Sequence, residues 1–148
     1  VRTFEAAAFL RRNGADVMRV RKLFRENATE YKAKADAVSQ AEIYRNAYAI
    51  SVCTSDELPN PTVIGAQAAN ELLNIKGIKA SFVLTEYQNQ IYVSARSIDE
   101  VNVQIIMERL GGGGHINTAG CQMENTSIAE GIGIIKHTLD TMIGEGAI

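Results

Sequence analysis

Two strand-like segments joined by a short polar turn constrain the fold more than any other feature of the sequence. Residues 80–87 and 91–97 combine β-branched and aromatic side chains, and Gln88-Asn89-Gln90 separates them. Segments of this kind on either side of a short polar connection are typical of a β-hairpin. The sheet must therefore contain at least one antiparallel pair of strands.

Helix start and stop signals lie on both sides of this hairpin. Before it, Asn60-Pro61 predicts a cap followed by the first helical turn, and Gly77 predicts the stop. After it, Asp99 is predicted to cap a helix that runs to Leu110. Each helix carries an apolar stripe and is expected to bury it against the sheet. The residues predicted to be buried are Ile64, Ala68, Ala69, Leu72 and Leu73 in the first helix, and Val103, Ile106, Met107 and Leu110 in the second.

A last helix is predicted near the end of the chain, where Ser127 and Glu130 have capping-box spacing. Its apolar residues recur on one face. Strands are predicted at residues 47–53 and 118–123, between the helices. Helices thus alternate with a sheet that includes a hairpin, so the predicted fold class is α/β (α+β), a mixed β-sheet covered by helices.

The first 45 residues have a different pattern, which is helical and highly charged. The predicted helices run over residues 4–12 with Thr3 as the cap, onward from Asp16, and over residues 28–44. Residues 1–25 alone hold seven basic groups against two acidic ones. We interpret residues 1–45 as a helical connector and residues 46–148 as the compact domain.

Composition and charge exclude several classes of protein. The chain is 46% hydrophobic and 22% charged, which is typical of a soluble globular protein. Residues 26–148 hold eight basic and fifteen acidic groups, so nucleic-acid binding through a general basic field is disfavoured. Any anionic ligand must therefore be bound by a focused site.

The cysteines and the start of the chain predict its compartment. Cys53 and Cys121 lie in separate apolar runs and are predicted to be buried, reduced thiols, with no spacing typical of a zinc site. The chain begins with Val without a leader, and no apolar run approaches the ~20 residues of a membrane-spanning helix. We expect an excised, cytoplasmic part of a longer protein that makes no membrane contact itself, although its parent can carry an anchor.

The run Gly111-Gly112-Gly113-Gly114, followed by His115, is the main candidate site. Consecutive glycines lose much backbone entropy on folding, so a packed domain needs a reason to keep them. One interpretation is a phosphate-facing loop whose N–H groups form an anion-binding concavity, with His115 as a further donor. The other is that Gly111 caps the preceding helix and that the remaining glycines form a slack connection. Loop chemistry alone leaves both interpretations open.

Arg96 and Asn102 belong to the same strand–helix–loop unit as the glycine run. Arg96 ends the second hairpin strand, where a guanidinium can offer paired donors to phosphate. Asn102 opens the helix that leads to the glycines. Taken singly, these are ordinarily a surface arginine and a helix cap, but their combination with His115 predicts a phosphate site. Neither a Walker A motif nor G-x-G-x-x-G fits, and no nucleophile–base pair can be proposed.

These segments resemble a known family. Residues 112–120, Gly-Gly-Gly-His-Ile-Asn-Thr-Ala-Gly, together with Ser94-Ala95-Arg96-Ser97 and Asn102-Val103-Gln104, are similar to the C-terminal DHH-associated domain of DHH phosphoesterases. Residues 2–16 resemble the end of the catalytic DHH domain in the GdpP-type cyclic-di-AMP phosphodiesterases. The similarity runs over nearly the whole chain, with one extra glycine before the Gly-Gly-Gly-His core.

The resemblance implies a division of labour between two domains. A DHH domain outside this chain would hold two Mn²⁺ ions, and no catalytic or metal-binding residue is assigned here because the chain lacks an Asp-His-His motif. This chain alone is therefore expected to be inactive. The substrate-binding residues that the resemblance implies are Arg96, Ser97, Asn102, Gly111, Gly112, Gly113, Gly114 and His115. Arg96 and the glycines would hold the nonscissile phosphate and its nucleotide, while His115 would donate a hydrogen bond to phosphate.

Three functions follow as expectations. In the first, the chain binds the substrate of an enzyme that hydrolyses cyclic-di-AMP to linear pApA, with a cyclic dinucleotide or short oligonucleotide and the DHH domain as partners. In the second, it is a nucleic-acid-binding domain of a RecJ-like or oligoribonuclease-type enzyme, or a tRNA-binding domain. In the third, it is a scaffold that forms a homodimer.

Overall fold

The computed structural model describes residues 1–98 and 100–148 and centres on a mixed six-stranded sheet with the order β1-β2-β3-β4-β6-β5. The strands are β1 (Glu42–Tyr44), β2 (Tyr48–Cys53), β3 (Ala80–Tyr87), β4 (Gln90–Ser97), β5 (Gly113–His115) and β6 (Thr118–Glu124). The helices are α1 (Arg2–Arg12), α2 (Val17–Leu23), α3 (Ala28–Ser39), α4 (Pro61–Leu72), α5 (Val103–Glu108) and α6 (Ile128–Gly144). The β2–β3 pair is parallel and the other pairs are antiparallel, so the predicted α/β class with a mixed sheet is confirmed.

The predicted hairpin is present between β3 and β4, and its turn is one residue shorter than expected. Gln88 and Asn89 have φ of 52° and 62°, while Gln90 already pairs with Tyr87. Two successive residues at positive φ are typical of a type I′ turn, which matches the right-handed twist of the strands. The turn therefore fixes the register of the whole β3–β4 ladder.

Two apolar clusters cover opposite faces of the sheet. On one face, α5 and α6 pack over the full width of β2, β3, β4 and β6, with the largest buried side chains at Phe82, Leu84, Ile106, Met107, Ile135, Leu139 and Met142. On the other face, α3 and α4 bury Ala37, Ile64, Ala68, Leu72 and Val83. The second cluster draws its strand residues only from β2 and β3.

Helix α4 packs closely against β3, which is the last strand that contributes to the second cluster. A Cβ on Gly65 would lie 2.4 Å from Oγ1 of Thr85, and the Ser81 hydroxyl donates to the Ala69 carbonyl at 2.6 Å. Ser81, Val83 and Thr85 alternate along β3 and so share the face that α4 covers. Beyond β3, on β4, β6 and β5, the same face of the sheet is not part of this cluster.

The N-terminal third differs from the prediction at two helix boundaries. Helix α1 begins at Arg2, so Thr3 lies inside it and does not cap it. Helix α3 ends at Ser39 instead of Tyr44, because Glu42–Tyr44 forms β1 and pairs with β2. The Tyr44 hydroxyl donates to Asp140 on α6 at 2.7 Å, which ties this edge strand to the core helix. The division into a 1–45 connector and a 46–148 domain stays a prediction.

Helix α5 is shorter than predicted. It begins after Asn102, whose side chain accepts the N–H groups of Gln104 and Ile105, and it ends at Glu108. Asp99, the predicted cap, lies outside the described residues. The capping box of α6 is confirmed at its first half, because the Ser127 hydroxyl accepts the Glu130 N–H at 3.1 Å.

Candidate functional site

Arg96 and His115 meet through a single residue of β6. Thr118 pairs with Arg96 on one side and with His115 on the other. Directly paired residues of neighbouring strands project to the same face of a sheet. The structure therefore brings these three side chains into one row across β4, β6 and β5, on the same face as α3 and α4 but beyond the apolar cluster that these helices form over β2 and β3.

Further rows of paired residues lie beside this one on the same face of β4, β6 and β5. Together they form a largely polar surface, which we call the open face. Its residues are Tyr92, Ser94 and Arg96 on β4, Thr118, Gly120 and Gln122 on β6, and Gly113 and His115 on β5. A hollow of about 550 Å³ lies over its middle and far end and is bordered by Thr62 in the first turn of α4. Its size falls in the usual range for small-molecule sites, about 300–1,000 Å³.

Hydrogen bonds to backbone carbonyls hold the Arg96 side chain over the β4–β6 pair. Its Nη1 donates to the Ala95 carbonyl at 2.8 Å and to the Ala119 carbonyl at 3.5 Å. The guanidinium is half-buried, and desolvation lowers the pKa of Arg96. Among the described residues no carboxylate forms an ion pair with it. A partly desolvated cation without a counter-ion favours an anionic ligand.

The first two glycines of the run end helix α5. Gly111 has φ of +81°, and its N–H donates to Glu108 O at 3.1 Å. The N–H of Gly112 donates to Met107 O at 2.9 Å. This pair of bonds is the Schellman arrangement, so the helix-cap interpretation is correct for Gly111. Both N–H groups are engaged in this cap, and a ligand contact by Gly111 or Gly112 stays a prediction.

The remaining glycines form neither a slack connection nor an open loop. Gly113–His115 is strand β5, the edge of the sheet, paired along β6. A Cβ on Gly112 would lie 2.1 Å from Gly120 O, and one on Gly114 would lie 2.4 Å from Thr118 O. A Cβ on Gly113 would meet nothing within 4 Å. Close packing therefore explains Gly112 and Gly114, whereas the space above Gly113 is free.

Ser97 and Asn102 lie away from the open face. Ser97 follows Arg96 and so points to the opposite side of β4, where it is buried. Its hydroxyl donates to Ile116 O at 3.3 Å and accepts from the Asn117 side chain at 3.0 Å. Asn102 caps α5. Both side chains support the β5–β6 turn and the helix before it, and their direct contact with a ligand stays a prediction.

Sequence reasoning missed the middle and far end of the open face. The signal was present, because β4 alternates buried and half-buried residues without interruption from Gln90 to Ser97, and Thr118–Glu124 on β6 alternates in the same way. A period of two with polar residues on one side marks a strand face that helices do not cover. Tyr92, Ser94, Gly120 and Gln122 follow from it.

The described residues contain no group of three or more His, Cys, Asp or Glu side chains that could hold a metal ion. They therefore do not provide a ligand set for the Mn²⁺ ions that the sequence resemblance implies, and binding of these ions by another domain stays a prediction. In the same part of the chain, no helix combines the length and the apolar character needed to cross a bilayer.

Residues 46–144 match the family described as the DHHA1 domain. The chain is 43% identical over 130 residues to the cyclic-di-AMP phosphodiesterase PdeA of Listeria monocytogenes, which is 87% of this chain and 20% of that protein. It is 40% identical over 141 residues to the cyclic-di-AMP phosphodiesterase GdpP of Bacillus subtilis, which is 94% of this chain and 21% of that protein. The chain thus spans about a fifth of the length of these relatives.

A solved structure shares the fold. An exopolyphosphatase-related protein from Bacteroides fragilis superposes with a TM-score of 0.81 at 20% sequence identity, covering 95% of this chain and 43% of that one.

Proposed function

The chain belongs to the DHHA1 domain family, and on this basis we propose that it is the substrate-binding part of a phosphodiesterase that hydrolyses cyclic-di-AMP to linear pApA. The relatives named cyclic-di-AMP phosphodiesterase are 40–43% identical over most of the chain. The observation that carries the proposal is the row Arg96–Thr118–His115 on the open face. It collects a guanidinium, a hydroxyl and an imidazole on one surface, which are donors suited to a phosphate.

Each residue of this row contributes to positioning the substrate. Arg96 keeps donor positions beyond its bonds to Ala95 and Ala119, and a phosphate beside it gains charge-assisted hydrogen bonds. Partial burial lowers the local dielectric and strengthens this attraction. Thr118 lies between Arg96 and His115, so its hydroxyl and the imidazole can reach the same anion. The fixed phosphate places the neighbouring phosphodiester for attack, which is an entropic contribution to catalysis.

Bond cleavage is assigned to a DHH domain elsewhere in the parent protein. Manganese bound there would activate a water molecule, and none of the described residues provides a ligand set for it. We further propose that this DHH domain packs against α1 and α2. These helices bury no residue, and the side chains of Phe4, Phe9, Leu23 and the adjoining Phe24 are 59–82% exposed. Large apolar side chains exposed together mark a surface that another element covers.

A titration of this chain with cyclic-di-AMP and pApA tests the binding role. We expect amide shifts of ¹⁵N-labelled protein to change along β4, β5 and β6, with the largest changes near Arg96, Thr118 and His115. Arg96→Lys should weaken binding roughly 10- to 100-fold, because a hydrogen bond between charged groups contributes about 1.5–3 kcal/mol. Arg19→Lys on α2 makes the same replacement outside the open face and is the matched control.

Two outcomes would contradict the proposal. The first is shifts confined to residues outside the open face. The second is equal weakening by Arg96→Lys and Arg19→Lys, which would show that the effect does not depend on the open face. An RNA oligonucleotide titrated in parallel distinguishes the nucleic-acid-binding alternative, since that alternative predicts binding of RNA with a steep salt dependence and no binding of either dinucleotide.

A further inference from the structure

The open face continues well beyond its phosphate-binding row. The pairs Ser94–Gly120–Gly113 form a second row, and Tyr92–Gln122 form a third. Successive rows are two residues apart along the strands, so the third lies ~13 Å from the first at ~3.3 Å per residue. The Arg96 guanidinium reaches the Ala119 carbonyl, between the first and second rows, and Tyr92 borders the space over the other rows. A hollow of about 550 Å³ opens over the second and third rows.

The second row forms a floor with almost no side chains. Gly120 is required by the fold, because a Cβ there would lie 2.7 Å from Val93 O. Gly113 is not required by the fold, since a Cβ would meet nothing within 4 Å and its φ is not in the left-handed region. A glycine that neither packing nor backbone conformation explains indicates that another molecule approaches the backbone at this point. Such a floor accommodates a sugar ring.

The third row has the groups that recognise a nucleobase. Tyr92 is half-buried, and the Tyr87 ring lies beside it, with the ring centroids 6.4 Å apart and an interplanar angle of 51°. Gln122 is exposed beside it, and Glu124 borders the hollow while accepting a bond from Gln90 at 3.3 Å. An aromatic ring provides a stacking surface, and a glutamine amide offers a donor and an acceptor together.

We propose that Tyr92 and Gln122 form a base-binding subsite, with Tyr92 stacking on an adenine and Gln122 hydrogen-bonding to its edge. This inference rests on the proposed function, because it takes the phosphate to lie on Arg96 and His115. The adjacent Glu124 carboxylate is an acceptor only. It therefore favours the 6-amino group of adenine and repels the 6-keto oxygen of guanine.

Three ligands separate the phosphate, sugar and base contributions. Ribose 5-phosphate, AMP and GMP are titrated into the 148-residue chain, with amide shifts as the readout. Tyr92→Leu should weaken AMP binding roughly 5- to 150-fold through the loss of stacking and leave ribose 5-phosphate binding within about twofold. Tyr92→Phe should keep AMP binding. Gln122→Ala should weaken AMP binding, and Glu124→Gln should reduce the preference for AMP over GMP. Tyr31→Leu on α3, outside the open face, is the matched control.

The outcomes distinguish this inference from the proposed function. If Arg96→Lys weakens ribose 5-phosphate binding but Tyr92→Leu leaves AMP binding unchanged, the inferred base subsite is refuted and the phosphate site is retained. Equal weakening of AMP and ribose 5-phosphate by Tyr92→Leu would mean that Tyr92 is only structural, and would also overturn the inference. If neither ligand binds, or if Arg96→Lys has no effect on either, the proposed function fails and the base subsite fails with it.

Discussion

Replacing Gly112 or Gly113 by alanine should give opposite effects on stability, although the two residues are neighbours. At Gly112 the new Cβ would lie 2.1 Å from Gly120 O and 2.6 Å from Cys121 Cβ, so β5 and β6 would have to separate. Such overpacking costs about 1–3 kcal/mol. At Gly113 the Cβ has free space, and a reduced unfolded-state entropy should stabilise the protein by about 0.4–1 kcal/mol.

The difference between the two variants should be visible in thermal unfolding followed by far-UV circular dichroism. For a chain of this size ~1 kcal/mol shifts Tm by roughly 2–4 °C. Gly112→Ala should therefore melt roughly 2–12 °C below the wild type, and Gly113→Ala slightly above it. Gly133→Ala on the exposed side of α6, where a Cβ also meets nothing within 4 Å, is the matched control for the general effect of removing a glycine.

Ligand binding adds a second readout to the same pair. The Gly113→Ala methyl would stand on the floor of the open face, so this variant should bind AMP more weakly while being at least as stable as the wild type. Gly133→Ala should be stabilised without any change in binding. The reasoning is refuted if Gly112→Ala is as stable as the wild type, or if Gly113→Ala binds AMP as tightly as Gly133→Ala does.

Three other predictions concern single side chains. Asn102→Ala should destabilise the protein by about 0.5–2 kcal/mol in urea unfolding through the loss of the α5 cap, whereas Asn102→Asp should retain most of it. Burial raises the pKa of the Cys121 thiol to about 11, so at pH 8.5 a thiol reagent should modify Cys121 slowly in the folded protein and rapidly in urea. Hydrogen bonds from Tyr44 and Arg45 lower the pKa of Asp140, so its stabilising effect is present above the unfolded-state pKa of roughly 3.9 and is lost as the pH falls. Asp140→Asn should therefore reduce the loss of thermal stability below pH 4 relative to the wild type, and an unchanged pH profile would contradict this assignment.

Sequence reasoning predicted best the elements that are determined by local signals, such as caps and turns within the element itself. Pro61 opens α4 at its first position, Ser127 caps α6, and the composition of residues 80–97 gives the hairpin. In each case the stabilising contact lies within a few residues of the signal. The buried, free state of Cys53 and Cys121 was also predicted, because each cysteine lies in an apolar stretch of sequence and such stretches pack into the core.

The elements that sequence reasoning missed depend on partners far along the chain. Residues 42–44 continue a helical pattern, but pairing with β2 and the bond from Tyr44 to Asp140 make them a strand. Gly113–His115 has no strand propensity, and it becomes β5 because Gly112 and Gly114 let it lie against β6. Long-range contacts override local propensity in both cases. The same contacts assemble the open face. Arg96 and His115 could be predicted together because they belong to one strand–helix–loop unit. Thr118 could not, because only the strand register places it between them.

The packing of the glycine run positions the candidate site. Gly111 and Gly112 end α5 in a fixed geometry, and close contact of Gly112 and Gly114 with β6 fixes the register of β5. That register alone determines that His115 stands opposite Thr118 and in line with Arg96. Because a slip by one residue would turn His115 to the other face of the sheet, the row Arg96–Thr118–His115 exists only while this packing is intact. A site held in this way is already formed before the ligand arrives, so binding requires little ordering of the backbone.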